Sequence, residues 1–121
     1  MEQYKTISIS IKDKVGKVIL NRPEVHNAFN EVMISEITHA FNHLNTNNDV
    51  IVIILEGNGP SFCAGADLNW MKDVSNYDYD QNLKESINLS ECFYTIYTCT
   101  KPTIAKVHGA AIGGANGLLA S

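Results

Sequence analysis

Six apolar residues follow one another in the stretch Val50-Ile51-Val52-Ile53-Ile54-Leu55, and this stretch decides the fold class. It has no polar alternation and is rich in β-branched residues, which is typical of a strand buried on both faces. Such strands belong to parallel sheets covered by helices. We therefore expect an α/β fold, in which this strand is followed by a turn-rich loop from Glu56 to Phe62.

The residues before this strand predict two antiparallel strands and a helix. Tyr4–Ile11 alternates apolar and polar residues, and Lys14–Leu20 continues the pattern after a turn at Lys12-Asp13. Either Asn27 or Asn30 can cap the helix that follows. Its predicted buried stripe has three- and four-residue spacing and consists of Met33, Ile37, Ala40, Phe41 and Leu44.

The residues after Leu55 predict two more helices. Asp67 stands at the start of a short helical stretch through Met71. Asp78 or Asp80 begins a longer helix that closes near Thr100. The longer helix has one apolar row of Leu83, Ile87, Tyr94 and Tyr97, with Leu89, Phe93 and Ile96 beside it.

The last part of the chain predicts a second parallel strand and a final helix. The strand is Thr103–Val107, and a glycine-rich turn then opens into an apolar helix that runs to Ser121. A helix this apolar needs a partner to bury it. We therefore expect residues 1–121 to be the amino-terminal part of one larger domain.

Two glycine-rich turns of the same design follow the two predicted parallel strands. The first is Cys63-Ala64-Gly65-Ala66-Asp67, and the second is Ile112-Gly113-Gly114-Ala115. Each precedes a helix, so free backbone N–H groups from both turns face the same side of the sheet. Two N–H groups that converge on one oxygen form an oxyanion hole, in which each donor stabilises a transition state by roughly 3 kcal/mol. Alternatively, the glycines serve only tight turns and close packing.

Composition and charge narrow the possible partners. The chain has 121 residues, and its 45% hydrophobic content is that of an ordinary globular domain rather than a disordered or collagen-like chain. Nine basic and 13 acidic residues give a net charge of -4, and the basic residues form no cluster. This argues against a nucleic-acid footprint or a membrane-surface patch, and favours small-molecule or protein partners.

Targeting and metal-binding signals are weak. The start Met1-Glu2-Gln3-Tyr4-Lys5 does not resemble a secretory signal, and no apolar run approaches the ~20 residues that span a bilayer, so we expect a cytoplasmic protein. Three cysteines lack metal-ligand spacing, and His39 and His43 have no third ligand nearby. We predict no metal site.

Four motifs carry a resemblance to a known family. They are Asn21-Arg22-Pro23-Glu24-Val25-His26-Asn27-Ala28-Phe29, Phe62–Leu68, Lys101–Ala105 with His108-Gly109, and Ile112-Gly113-Gly114. In order and spacing they resemble the enoyl-CoA hydratase/isomerase (crotonase) family, whose fold is a superhelix of repeated ββα turns. The chain would supply the first two turns. Gly65–Met71 and Ile112–Leu118 are similar to the methylglutaconyl-CoA hydratase-like branch.

The resemblance implies roles for particular residues. The N–H groups of Ala66 and Gly114 would hold the thioester oxygen of an acyl-CoA substrate. Gly65 and Asp67 belong to the same substrate-binding motif. Coenzyme A would enter as part of the substrate, with no separate cofactor. The predicted path for coenzyme A is formed by Val25, His26, Ala28, Ala64 and Leu68.

The resemblance also implies an activity and an assembly. The whole protein would be a lyase that hydrates an enoyl-CoA in fatty-acid or leucine breakdown, and a trimer or hexamer. However, family hydratases commonly carry a catalytic glutamate three residues after the oxyanion glycine, and this position is Gly117. The chain alone is therefore expected to be inactive. Isomerase, decarboxylase and thioesterase reactions stay open, as does a non-catalytic fragment that binds acyl-CoA.

Several residues near the turns have a structural interpretation beside the functional one. Asp67 is expected mainly to cap its helix, and Cys63 to be a small packing residue rather than a reactive thiol. A dinucleotide site at Gly57-Asn58-Gly59 is disfavoured, because Pro60 lacks an N–H and Phe62 fills a position that needs a small residue. The chain contains no G-x-S-x-G sequence of a serine hydrolase.

Overall fold

A four-stranded sheet forms the centre of the computed structural model, which describes residues 4–121. Its strands are β1 (Ile7–Lys12), β2 (Val15–Leu20), β3 (Val52–Gly57) and β4 (Thr103–Ala105), and they lie side by side in chain order. β1 is antiparallel to β2, whereas β2, β3 and β4 are parallel, with Val18 opposite Leu55 and Ile54 opposite Ile104. The predicted hairpin and parallel strands are confirmed.

Four helices accompany the sheet. They are α1 (Glu31–Asn45), α2 (Leu68–Val74), α3 (Tyr79–Tyr97) and α4 (Ala115–Ala120), with a short 3-10 helix at Pro23–Val25. α1 begins after Asn30, whose side chain accepts a hydrogen bond from Met33 N–H at 3.0 Å. α3 begins after Asp78, which forms a capping box with Gln81. Asn30 and Asp78 are thus the caps, rather than Asn27 and Asp80.

The core lies between the sheet and α1. The predicted stripe of α1 is confirmed, since Met33, Ile37, Ala40, Phe41 and Leu44 are all buried. α1 also packs against α3, whose buried residues are Cys92, Thr95 and Ile96. The expected apolar row of α3, formed by Leu83, Ile87, Tyr94 and Tyr97, is exposed instead.

The prediction that the central strand is buried on both faces is wrong for residues 4–121. Ile53 and Leu55 are buried, whereas Val52 and Ile54 are half-buried and Ile51, which precedes β3, is 60% exposed. The second face also carries Glu56, which pairs with Lys17 and Lys106 at 3.5 and 3.8 Å. All three residues of β4 are exposed, so the expectation of a buried strand is wrong there too.

The repeated strand–strand–helix pattern is confirmed by a second line of short pairings beside the main sheet. Phe29 forms a parallel bridge with Ala66, and Cys63 forms one with Ala111. β2, the Phe29 bridge and α1 form one cycle, while β3 and β4 begin the next two. Through these two bridges the first glycine-rich turn lies beside both the segment before α1 and the second glycine-rich turn.

Asn27 is a buried polar residue that holds one loop in place. Its Nδ2 donates to the carbonyl oxygens of Asn58, Ser61 and Phe62 at 2.8, 3.1 and 3.1 Å. Its Oδ1 accepts from Arg22 N–H at 2.7 Å. Its φ of 58° is in the left-handed region, which asparagine tolerates better than most residues.

Asn27→Ala is expected to lower the free energy of unfolding by at least about 2 kcal/mol. The variant removes the side-chain partner of the buried Phe62 carbonyl and of the partly buried Arg22 N–H, and it places alanine in the left-handed region without a side-chain hydrogen bond. Urea unfolding followed by circular dichroism measures the change, with exposed Asn48→Ala as the control. Equal stability of the two variants would show that the Asn27 contacts do not hold the loop.

Candidate functional site

The first glycine-rich turn requires glycine at position 65. Gly65 has a φ of 92°, and a Cβ there would lie 2.8 Å from the carbonyl oxygen of Ile112. The turn is held by Phe29 N–H, which donates to Gly65 O at 2.8 Å, and by Asp67 N–H, which donates to Phe29 O at 2.8 Å. A side chain at position 65 would force the two turns apart.

Cys63 is buried beneath this turn and confirms the packing interpretation. Its thiol donates to Asn27 O at 3.2 Å, and Gly65 N–H approaches its Sγ at 3.4 Å. Burial raises the pKa of the thiol, and the hydrogen bond from Gly65 offsets this only in part. The thiol therefore stays protonated at neutral pH and is not an activated nucleophile.

The second turn lies directly beside the first. Cys63 N–H donates to Ala110 O at 3.1 Å, and Ile112 N–H donates to Cys63 O at 3.0 Å. A Cβ on Gly114 would lie only 2.4 Å from Cζ of Phe29, so any side chain at this position would strike the ring. Close packing thus explains the glycine at 114 as well as the glycine at 65.

The Ala66 and Gly114 amides share one feature. Within residues 4–121 neither N–H donates a hydrogen bond, although the adjacent amides of Asp67 and Ala115 both do. The nitrogen of Gly114 lies 3.5 Å from the position that a Cβ on Gly65 would occupy. Two unused donors, one from each turn, therefore lie at the junction of the turns.

Asp67 has the structural role that the sequence predicts for it. Its Oδ1 accepts from the N–H groups of Asn69 and Trp70 at 2.8 and 3.1 Å, so it caps α2. Its Oδ2 pairs with Nη2 of Arg22 at 3.1 Å. Desolvation raises the pKa of Asp67, but the bonds from Trp70, Arg22 and Asn69 outweigh it and lower the pKa overall. Asp67 is therefore a carboxylate at neutral pH.

Arg22 is a residue whose role the sequence did not suggest. Its Nη1 donates to Ala28 O at 2.6 Å, while Nη2 contacts Asp67. It thereby ties the segment before α1 to the first turn. Asp67 lies 45 residues further along the chain, so the sequence around Arg22 gave no signal of this contact.

The residues of the predicted coenzyme A path come from the segment before α1, from the first turn and from the start of α2. Val25, His26 and Leu68 are exposed, whereas Ala64 is half-buried and Ala28 is buried. Ala64 N–H donates to His26 O at 2.9 Å, which joins two of these segments directly. His26 Nδ1 lies 3.1 Å from Oγ of Ser61. Their contact with coenzyme A stays a prediction.

Gly117 has no room for an acidic side chain. A Cβ at this position would lie 2.5 Å from Cζ of Phe93, because α3 and α4 pack closely there. The position at which the resemblance implies a glutamate is therefore occupied by a glycine whose side-chain space is filled by an aromatic ring.

A cleft of about 230 Å³ opens between α2 and α3. Its lining residues are Trp70, Met71, Val74, Asn82, Glu85 and Ser86. Trp70 packs edge-to-face on Phe29, with ring centroids 6.1 Å apart, and its buried Nε1 has no hydrogen-bond partner within residues 4–121. The aromatic pair connects this cleft to the second turn.

Within residues 4–121, no helix has both the length and the apolar composition needed to cross a membrane.

Asp67→Asn tests the Arg22–Asp67 pair. Because the pKa of Asp67 is lowered in the folded state, its carboxylate stabilises the fold above the ordinary aspartate pKa, and this stabilisation is lost as the pH falls through the folded-state pKa. At pH 7 the variant is expected to be about 1–2 kcal/mol less stable, through a weaker cap and an unpaired Arg22. As the pH falls below the ordinary aspartate pKa, the variant is expected to lose less stability than the parent chain.

Urea titrations at several pH values measure both effects of this substitution. Exposed Asp73→Asn, on the same helix, is the control and is expected to follow the parent chain. An Asp67→Asn variant with the parent's pH dependence would contradict the assigned role.

Known proteins are similar to this chain in sequence and in fold. Residues 10–120 match the enoyl-CoA hydratase/isomerase family. A peroxisomal Delta(3,5)-Delta(2,4)-dienoyl-CoA isomerase of Arabidopsis thaliana is 39% identical over 126 aligned positions, which cover 94% of this chain and 45% of the isomerase.

Solved structures of enoyl-CoA hydratases and isomerases have the same fold as this chain over nearly its whole length. An enoyl-CoA hydratase from Shewanella pealeana superposes with a TM-score of 0.94 and 40% identity, covering 97% of this chain and 44% of that one. An enoyl-CoA hydratase/isomerase from Xanthobacter autotrophicus superposes with a TM-score of 0.90 and 29% identity, covering 96% of this chain and 43% of that one. The chain thus spans less than half the length of each of these proteins. With nearly all of its residues matched, the chain belongs to the enoyl-CoA hydratase/isomerase (crotonase) family.

Proposed function

We propose that this chain binds the acyl thioester of coenzyme A and that the N–H groups of Ala66 and Gly114 donate to the thioester carbonyl oxygen. The observation that supports this most directly is the pair of unused amides at the junction of the two turns. Backbone donors suit this task because hydrogen bonds elsewhere in the turns fix their positions before the ligand arrives.

The two donors would assist chemistry next to the carbonyl. When a thioester loses an α-proton, or when an α,β-unsaturated thioester accepts a nucleophile at its β-carbon, electron density moves onto the carbonyl oxygen and an enolate forms. A hydrogen bond to that oxygen is stronger for the enolate than for the ground state, so it lowers the barrier. Each well-placed donor contributes roughly 3 kcal/mol to such stabilisation.

The surrounding residues would place the rest of the ligand. Val25, His26 and Leu68 are exposed beside the first turn and would contact coenzyme A together with Ala28 and Ala64. Gly65 allows the close approach of the turns, and Asp67 holds the turn in shape through its cap. No separate cofactor takes part in this proposal.

The relatives named above include both a hydratase and an isomerase. We propose hydration of an enoyl-CoA, in fatty-acid or branched amino-acid breakdown, by a trimer or hexamer. Methylglutaconyl-CoA is the specific substrate that the sequence resemblance suggests. Gly117 favours a second candidate for residues 1–121 alone, namely thioester binding without turnover, since no side chain at this position can move a proton.

Removal of the Gly114 N–H tests the proposed donor. A proline at position 114 would also strike Phe29, so the cleaner change is a backbone ester. The ester is introduced by placing glycolic acid at position 114 of a synthetic 99–121 peptide. This peptide is then ligated through Cys99 to residues 1–98. Loss of one donor is expected to weaken thioester binding by about 1 kcal/mol, or roughly fivefold. Calorimetry with butyryl-CoA measures the effect.

The matched ligand for this experiment is S-butyl-CoA, a thioether that lacks the carbonyl. Its affinity is expected to be unchanged by the ester, and the same ligation with unaltered Gly114 controls for the synthesis. An equal loss for both ligands would mean that the Gly114 amide does not contact the carbonyl oxygen.

Gly117→Glu tests whether the missing acid can be restored. Because Phe93 fills the space, the variant is expected to be about 1–3 kcal/mol less stable than the parent chain and to gain no hydration of crotonyl-CoA. Thermal unfolding and absorbance at the enoyl band measure the two results. Adding Phe93→Ala is expected to recover part of the stability, whereas Asn116→Glu, at an exposed position, is expected to be tolerated. A stable, active Gly117→Glu variant would contradict the packing argument.

A further inference from the structure

The cleft between α2 and α3 has two chemically different walls. The α2 wall is apolar and is formed by Trp70, Met71 and Val74. The α3 wall is polar and is formed by Asn82, Glu85 and Ser86. Among these lining residues Glu85 is the only ionisable side chain, so it sets the charge that a ligand in the cleft meets.

The cleft is close to the proposed thioester site. The Phe29 ring occupies the space next to Gly114, and the Trp70 ring packs against Phe29 and lines the cleft. One layer of aromatic rings therefore connects the Gly114 amide to the cleft wall. An acyl chain that extends from a carbonyl at Gly114 along these rings would meet the apolar wall.

The charges around the cleft are predominantly negative. Glu31, at the start of α1, accepts a hydrogen bond from the Tyr77 hydroxyl at 3.5 Å. Burial, and then the charges of Glu31, Glu85 and Asp73, raise the pKa of Tyr77. Burial and then the charge of Glu31 also raise the pKa of Glu85, and nearby Lys84 only partly offsets this. The carboxylates already repel one another here, before any ligand enters.

We propose that Glu85 makes this cleft select against acyl groups that end in a carboxylate, with the acyl group of the bound thioester lying along the apolar wall. The proposal rests on the proposed function and names its substrate class, which is an uncharged acyl-CoA. A distal carboxylate in the cleft would lie beside Glu85 in a partly desolvated setting, where like charges interact more strongly than in water. This selectivity opposes the methylglutaconyl-CoA assignment, because that acyl group carries a distal carboxylate.

Two thioesters of equal chain length test the proposal. Pentanoyl-CoA ends in a methyl group and glutaryl-CoA ends in a carboxylate, while their coenzyme A portions are identical. Calorimetry with the whole chain at neutral pH is expected to give a dissociation constant for pentanoyl-CoA at least about tenfold lower.

Glu85→Gln keeps the shape and removes the charge, and it is expected to reduce this preference to less than about threefold. Glu31→Gln is expected to reduce it in the same direction and serves as a second variant in case Glu85→Gln does not fold. Glu91→Gln, the same change at an exposed position on the same helix, is expected to leave the preference unchanged.

The possible failures are distinguishable. Equal binding of the two thioesters, or a preference that neither Glu85→Gln nor Glu31→Gln alters, overturns the selectivity and leaves thioester binding intact. Binding of neither thioester overturns the selectivity together with the proposed function.

Discussion

The close approach of the two glycine-rich turns is the constraint on which the candidate site depends. Position 65 has no space for a side chain because Ile112 O is only 2.8 Å from where a Cβ would lie, and position 114 has none because the Phe29 ring is there. The hydrogen bonds between Cys63 and the residues around Ala111 hold the turns at this distance. The proposed contact of the Ala66 and Gly114 amides with one ligand atom depends on this close approach, which side chains at positions 65 and 114 would prevent.

A frame of buried polar contacts supports this approach from the amino-terminal side. Asn27 holds the loop before the first turn through three carbonyl oxygens, and Arg22 joins the segment before α1 to the cap of α2. These contacts link residues far apart in the chain, so they keep successive strand–strand–helix cycles in register. The site thus depends on side chains that do not contact the proposed ligand. Cys63, buried and protonated beneath the first turn, belongs to the same frame.

Local patterns predicted most of the elements, because caps, turns and hydrophobic periodicity act over a few residues. The α1 stripe, the Asp67 cap and the two glycine-rich turns are examples. The choice between Asn27 and Asn30 could not be made locally, since both are good caps and only the long-range contacts of Asn27 exclude it. The exposed face of β3 was missed because an apolar run does not reveal whether both faces are covered within residues 4–121. The Arg22–Asp67 pair was missed for the same reason, as the two residues meet only in three dimensions.

The proposed function separates thioester binding from proton transfer. The turns carry two unused amide donors, whereas position 117 has no acidic side chain and its side-chain space is filled by the Phe93 ring. In the proposed complex, the Ala66 and Gly114 amides contact the same carbonyl oxygen. The most direct measurement is a ¹H–¹⁵N NMR titration of the labelled chain with butyryl-CoA and, separately, with S-butyl-CoA. The amide protons of Ala66 and Gly114 are both expected to shift downfield with the thioester and to shift much less with the thioether. A shift of only one of the two amide protons, or equal shifts with both ligands, would contradict the proposed contact with the carbonyl oxygen.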